Sequence, residues 1–212
     1  EGDDVGPTIE RAAIGLDQAR SARRKTAVFD AEAYGDPAAN LSLMSSLLTG
    51  IEVDILKDGL DFEDSLLAQM DVVVASLHVA GSDEAENTKR LIRAAENPYV
   101  HMLGHLTGRL LLERDAYKVN QQAVIDACVA TGTWIELNAS PYRFDLDWRL
   151  WRNARDKGLK CVINCDAHRL EHAGFLKLGT GIARKGWLTK DDVINTLPLA
   201  KLRKALAAKR GK

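Results

Sequence analysis

Asp166 and His168 close an apolar run of the sequence, KGLKCVINCDAH, which has the length of a fully buried strand. Residues two apart on a strand point to the same side, so we expect a carboxylate and an imidazole to project together from the strand end. Such a pair suits a divalent metal ion, and zinc, manganese and iron all accept it. By itself the pair is a weak indication. It gains weight because other strand ends carry groups of the same kind.

Four further polar residues lie in or directly after other apolar runs: Glu52 in GIEVDIL, His78 after VVVASL, His105 in LGHLTGR and Asn138 at the end of TWIELN. A carboxylate inside an apolar strand is costly unless it is paired or bound to a metal. Glu52 is therefore a metal ligand, a partner in a structural ion pair, or a residue of an exposed edge strand. Each histidine alone could equally be a core residue. Taken with Asp166 and His168, the set predicts a metal centre.

Arginines also lie near predicted strand ends, namely Arg109, Arg143 and Arg184 with Lys185. A guanidinium group in such a loop can hold a phosphate with two parallel hydrogen bonds. The alternative is an ordinary solvated or ion-paired arginine, and the sequence does not separate the two. The other two histidines are expected to be structural or at the surface, because His101 starts a predicted strand and His172 lies in a polar loop.

The elements that position these groups alternate regularly. Strands are predicted over residues 50–56, 71–78, 99–103, 133–138 and 159–164, with a candidate sixth over 175–180, and helices fill the intervals. This alternation predicts a parallel α/β sheet, open or closed. No GxGxxG or Walker loop follows a strand, which argues against a nucleotide-binding fold. Functional groups at the carboxyl ends of successive strands are typical of (β/α) barrels.

Composition limits the class of protein. The chain has 212 residues, 46% hydrophobic and 28% charged, with a net charge of -1, which fits a globular protein with one main domain and gives no electrostatic case for nucleic acid or membrane. No apolar run approaches the roughly 18 residues of a membrane span. Three cysteines without a CxxC motif indicate no disulfide framework and favour the reducing cytoplasm. The basic tail, residues 201–212, is predicted to be a solvated helix end rather than a nucleic-acid contact.

Six runs in order resemble one known family: GIEVDIL, VVASLH, LGHLTGRLL, IELNASPYRFDLDW, VINCDAH and GIARKGWLTKDDVINTL. They resemble the PHP (polymerase and histidinol phosphatase) domain, and most of all the version at the C-terminus of bacterial family X DNA polymerases. The resemblance covers residues 49–210, whereas residues 1–48 match poorly and read as mostly helical, with a helix over 8–25. It implies a distorted (β/α)7 TIM-like barrel with three metal ions. It also implies manganese-dependent 3′→5′ exonuclease and 3′-end phosphoesterase activity on DNA, or hydrolysis of histidinol phosphate and other small phosphomonoesters.

The resemblance assigns roles to particular residues. Glu52 matches the family's bridging glutamate, and His78 and His105 match the two histidines that complete one metal position. Asp166 matches a ligand of a second position, and His168 a ligand of a third. The resemblance thus implies that Glu52, Asp166 and His168 support catalysis. Four residues are candidates for holding the substrate phosphate: Arg109, Asn138, Arg143 and Arg184.

One departure from the family is visible. The family opens with an HxH motif on its first strand, whereas the first histidine of this sequence is His78 and its first residue is Glu1 rather than Met. The sequence is then a fragment of a longer chain that also carries a polymerase domain, a chain completed by a second copy, or a degenerate domain with at most one metal. The last reading gives an alternative function, a structural module associated with a DNA polymerase. Metal-dependent hydrolysis of a sugar or amide is a further class that the ligand types alone do not separate.

Overall fold

A parallel five-stranded sheet forms the centre of the molecule, in a computed structural model that describes residues 48–210. The strands are β1 (Gly50–Asp54), β2 (Val72–Ser76), β3 (Met102–Leu103), β4 (Trp134–Asn138) and β5 (Cys161–Asn164). They lie in sequence order, and all neighbours are parallel, with Glu52 opposite Val74 and Glu136 opposite Val162. The predicted parallel α/β architecture is confirmed, with shorter strands. Closure into a seven-stranded barrel stays a prediction, and the helix predicted over 8–25 lies outside the described residues.

The helices follow the strands at the expected places: α1 (Asp64–Leu67), α2 (Glu84–Glu96), α3 (Gln121–Thr131), α4 (Trp148–Asp156), α5 (Leu176–Lys185) and α6 (Leu199–Lys209). Short polar side chains cap three of them, because Asp83, Asn120 and Asp147 each accept a hydrogen bond from a backbone N–H of the first turn.

The sixth strand predicted over residues 175–180 is wrong, because this segment begins α5. The helix puts Gly179 against Ala139 and Ile163, so closely that a Cβ on Gly179 would lie 2.6 Å from a side-chain carbon of each. Gly179 and Ala183, four residues apart, form its buried face. A short run of apolar and small residues does not distinguish a strand from a buried helix turn, which explains the error.

The two faces of the sheet have different partners. One face carries residues such as Val53, Ala75 and Leu137, which pack in one core with α2, α3 and α4. Right-handed crossovers between strands in sequence order place these helices on the same side. The opposite face is apolar near the strand starts, where Trp134 packs with Leu206 of α6. Towards the strand ends this face carries polar residues, namely Glu52, Ser76, Glu136, Asn138 and Asn164.

The last turn of α6 binds the ends of other helices. Lys209 Nζ donates to the carbonyl oxygens of Ala95 in α2 (3.0 Å) and Thr131 in α3 (3.1 Å). Arg210 donates to the carbonyl oxygens of Ala68 and Met70, just after α1. Cations are stabilised at helix C-termini, where the carbonyl groups lack intrahelical partners. The prediction of a solvated tail is therefore wrong for these two residues.

The cysteines agree with the prediction from their spacing. All three are free, and Cys128 and Cys161 are buried in the core. Within residues 48–210 no helix has the length and hydropathy that crossing a bilayer requires.

Candidate metal centre

Glu52, His78 and His105 meet at the carboxyl ends of three neighbouring strands. Glu52 lies in the middle of β1, on the face opposite to Ile51 and Val53. His78 and His105 each lie two residues beyond the end of a strand, β2 and β3 respectively. Because parallel neighbours end at the same edge of a sheet, the three side chains converge, and their ligand atoms all lie within 4.8 Å of one another.

The spacing of these atoms fits a bound ion. Glu52 Oε1 lies 3.4 Å from His105 Nε2 and 3.5 Å from His78 Nε2. Two ligand atoms, each bound at about 2.1 Å to a tetrahedral ion, are separated by about 3.4 Å. Glu52 and His78 are both 43% exposed, whereas His105 is buried. Among residues 48–210 the site therefore offers three possible ligands and an exposed side, and such an arrangement is typical of catalytic rather than of closed structural metal sites.

Asp54 orients His78. Its Oδ1 atom lies 2.6 Å from His78 Nδ1, so the opposite ring nitrogen, Nε2, is presented to Glu52. A carboxylate on the far nitrogen of a ligand histidine is a common feature of metal sites, because it fixes the ring and its tautomer. Asp54 is not among the predicted site residues. The sequence nevertheless indicates that Asp54 lies near the site, because Glu52 and Asp54 are two residues apart on one strand and share a face.

The charges of the site are strongly coupled. Burial alone would raise the pKa of Glu52, but its contacts with the imidazoles of His105 and His78 hold the pKa well below its usual range. The hydrogen bond with Glu52 is the main cause that raises the pKa of His78 to about 9, with Asp54 adding to it and burial opposing it. Without metal, the carboxylates thus hold a proton on the imidazole, and a metal ion must displace that proton to bind.

His105 lies in a tight turn after β3. Its backbone φ is +20°, and its N–H donates to Glu136 Oε2 at 2.6 Å. The preceding residue, Gly104, passes so close to β2 that a Cβ on it would lie 2.4 Å from Ser76 Oγ. The ring atom Nδ1 of His105 is buried and has no hydrogen-bond partner among the described residues. The turn therefore fixes the backbone of His105 more tightly than its ring.

Asp166 and His168 stay outside this group. The expectation that they project together from a strand is wrong, because β5 ends at Asn164 and Asp166 has a φ of +50°. Asp166 Oδ2 instead accepts a hydrogen bond from Arg143 Nε at 3.2 Å. His168 Nδ1 donates to the carbonyl oxygen of Asp166 at 2.7 Å, which leaves its Nε2 as the nitrogen able to bind a metal. In residues 48–210, three of the five predicted ligands thus come together.

The four predicted phosphate-binding residues have different surroundings. Arg109 donates to the carbonyl oxygens of Arg143 (2.8 Å) and Phe144, so its guanidinium holds one loop to another and the proposed contact with phosphate has no support from its position. Arg184 lies in the last turn of α5 rather than in a loop. Asn138 is fully buried and donates to Glu136 Oε2 at 3.1 Å. Arg143, bound to Asp166, is the arginine of this set that lies beside a predicted metal ligand.

His101 has the structural role expected of it. It is fully buried, its Nδ1 accepts the N–H of Val73 at 3.1 Å, and its Nε2 lies 3.3 Å from the carbonyl oxygen of Leu206. It therefore ties the start of β2 to α6. Glu136, by contrast, was missed by the sequence reasoning, although it shares a strand face with the predicted Asn138.

Comparison with known proteins gives relatives of two kinds. The chain is 41% identical over 155 residues to the DNA polymerase/3′-5′ exonuclease PolX of Bacillus subtilis, a match that covers 72% of this chain and 27% of PolX. It is 29% identical over 178 residues to a probable phosphatase of Thermoanaerobacter sp. (strain X514), covering 78% of this chain and 70% of that protein. A probable phosphatase of Clostridium botulinum (strain Hall) is 30% identical over 131 residues, 49% of its length. No family model matches the chain. The chain is thus homologous to proteins named as an exonuclease and as phosphatases, and it spans about a quarter of PolX.

Proposed function

We propose that residues 49–212 form a PHP-type domain that hydrolyses phosphoesters with a divalent metal ion held by Glu52, His78 and His105. The observation that carries this proposal is the convergence of the three side chains, at 3.4 and 3.5 Å, in a chain homologous to PolX and to probable phosphatases. Zinc, manganese and iron are the candidate ions, because all three accept imidazole and carboxylate ligands. Asp166 and His168 are proposed as ligands of further ions at the same strand ends.

A bound divalent ion supplies hydroxide near neutral pH and neutralises charge on the phosphoryl oxygens. The residues around the proposed ion have distinct roles in holding and orienting its ligands. His78 and His105 present their Nε2 atoms towards the Glu52 carboxylate, and Asp54 holds the ring of His78. Arg143 is proposed to contact the substrate phosphate, because it is the predicted arginine that reaches an acidic group of the site.

The proposed substrate is a DNA 3′ end rather than a small phosphomonoester, as in the exonuclease named among the relatives. Apolar side chains beside Arg143 support this choice. The N–H of Leu111 donates to the carbonyl oxygen of Tyr142 at 2.6 Å, which joins two loops. Tyr142 is 58% exposed and Leu112 is fully exposed, with a φ of +67°. Aromatic and apolar side chains next to a phosphate site can stack on bases, a contact that a small phosphomonoester does not need.

The test begins with the metal content of the 212-residue chain by elemental analysis, followed by assays of 3′-end hydrolysis on single-stranded DNA and of p-nitrophenyl phosphate. We expect at least one equivalent of zinc, manganese or iron, and a loss of hydrolysis in His105→Ala. Leu199→Ala is the control, since this exposed side chain of α6 lies outside the group of possible ligands. Full activity in His105→Ala would refute the assigned role. A wild-type chain that binds no metal would favour the alternative, a structural module of a polymerase.

A further inference from the structure

Glu136 is a buried acid directly behind the candidate metal centre. It lies on the polar face of β4 and is 5% exposed. Its Oε2 accepts the backbone N–H of His105 at 2.6 Å and the side-chain amide of Asn138 at 3.1 Å, and its Oε1 accepts the amide of Asn164 at 3.1 Å. Three donors, from the turn after β3, from β4 and from β5, thus converge on one carboxyl group. A buried group with this many partners has a fixed position.

The bond to His105 acts on an unusual stretch of backbone. His105 adopts a positive φ that L residues rarely use, and such conformations persist only where surrounding contacts hold them. Gly104 is pressed against Ser76 on one side. Glu136 receives the N–H of the next peptide on the other side. Together these contacts determine the direction in which the His105 side chain leaves the backbone.

We propose that Glu136 is a positioning residue of the metal centre: it holds the His105 peptide so that Nε2 of this histidine faces Glu52. The inference rests on the proposed function, because it assigns Glu136 a role in the same site. The role depends on the reach of the side chain rather than on its charge, since the bond goes to a backbone N–H. The same carboxyl connects the site to Asp166, because Asn138 Nδ2 also lies 3.5 Å from Asp166 Oδ2.

Two substitutions of Glu136 distinguish the effect of the length of its side chain from the effect of its charge. Glu136→Gln keeps an oxygen at the same reach, and the amides of the neighbouring asparagines can turn to meet the new NH2 group. Glu136→Asp keeps the charge but withdraws the oxygens by about 1.5 Å, one C–C bond, which breaks the 2.6 Å contact with His105. We expect metal affinity, measured by competition with a chelating dye, to fall by about 10 to 100-fold in Glu136→Asp and to change by less than about threefold in Glu136→Gln.

A second measurement tests the positioning without metal. The rings of His78 and His105 lie 5.1 Å apart between centroids, which gives a nuclear Overhauser effect between them. We expect Glu136→Asp to weaken this signal and Glu136→Gln to retain it, with both proteins folded by circular dichroism. Wild-type affinity with an unchanged ring contact in Glu136→Asp would overturn the inference, as would equal losses in both variants. If the wild type binds no metal while the ring contact follows the expected pattern, the positioning stands and the proposed function fails.

Discussion

Acidification is expected to destabilise this fold through one buried histidine, His101. This residue has a structural role and is not one of the proposed metal ligands. Burial is the main cause that lowers the pKa of His101 to about 4, and the positive charge of Arg210 adds to it, with Lys209 a smaller contribution. The hydrogen bond to Leu206 and the charge of Asp71 oppose the shift but are weaker. The imidazole is therefore neutral in the folded protein at neutral pH, accepting the N–H of Val73.

The direction and magnitude of this loss of stability follow from the pKa of His101 in the folded and in the unfolded protein. The unfolded histidine has a pKa of 6.5 and the folded one of about 4, so the unfolded chain binds more protons as the pH falls through this window. The contribution of neutral His101 is fully present above pH 6.5 and is lost as the pH falls towards 4. At 1.36 kcal/mol per pKa unit, the loss at pH 4 is about 3 kcal/mol, and it continues only slightly below that pH.

The assay compares the wild type with His101→Asn, whose amide oxygen can accept the Val73 N–H but whose side chain does not titrate. Urea unfolding at intervals between pH 7.5 and 4 gives the free energy of unfolding of each protein. Other groups contribute equally to both curves, so their difference isolates His101. We expect the difference between the two proteins to shift by about 3 kcal/mol across this range, with the wild type losing more. Parallel curves would show that His101 does not stay neutral in the fold and would refute the reasoning.

Three further predictions concern the site and its support. Asp54→Asn should weaken metal binding by about 10 to 100-fold, because the amide holds the His78 ring less well; titration with zinc or manganese checks this, and wild-type affinity would contradict it. Gly179→Ala should destabilise the fold by about 1–3 kcal/mol through overpacking, whereas Gly181→Ala, in the same helix with open space around it, should be neutral or stabilising in a thermal melt. Tyr142→Ala should raise KM for single-stranded DNA by about tenfold through lost base stacking and leave p-nitrophenyl phosphate hydrolysis unchanged; an equal effect on both substrates would exclude a base contact.

Glu52 fits two of the roles that the sequence allowed, a residue of an exposed edge strand and a partner in an ion pair. In residues 48–210, β1 has a neighbouring strand on one side only, so Glu52 lies on an edge strand. It is also bound to both histidines. An edge strand with free backbone groups is a place where a further strand can pair.

The sequence alone determined the alternation of strands and helices and pointed to the three residues that meet in the candidate metal site. Apolar runs with turns between them define parallel strands, and a residue just beyond such a run must lie at the common carboxyl edge. This local rule suffices for His78 and His105, each two residues past a strand end. It failed for Asp166, because only the real end of β5 and a positive φ determine where that carboxylate points.

The tertiary structure determined which residues form hydrogen bonds with one another. Arg109 looked available for phosphate, but the loop that accepts its hydrogen bonds is 34 and 35 residues away in the chain. Glu136 looked like an ordinary strand residue, although its partner His105 is 31 residues away. The physical reason is the same in both cases. Hydropathy and spacing report which side of an element faces the core, whereas the donor that meets a given oxygen depends on how distant segments pack, to within a fraction of an ångström.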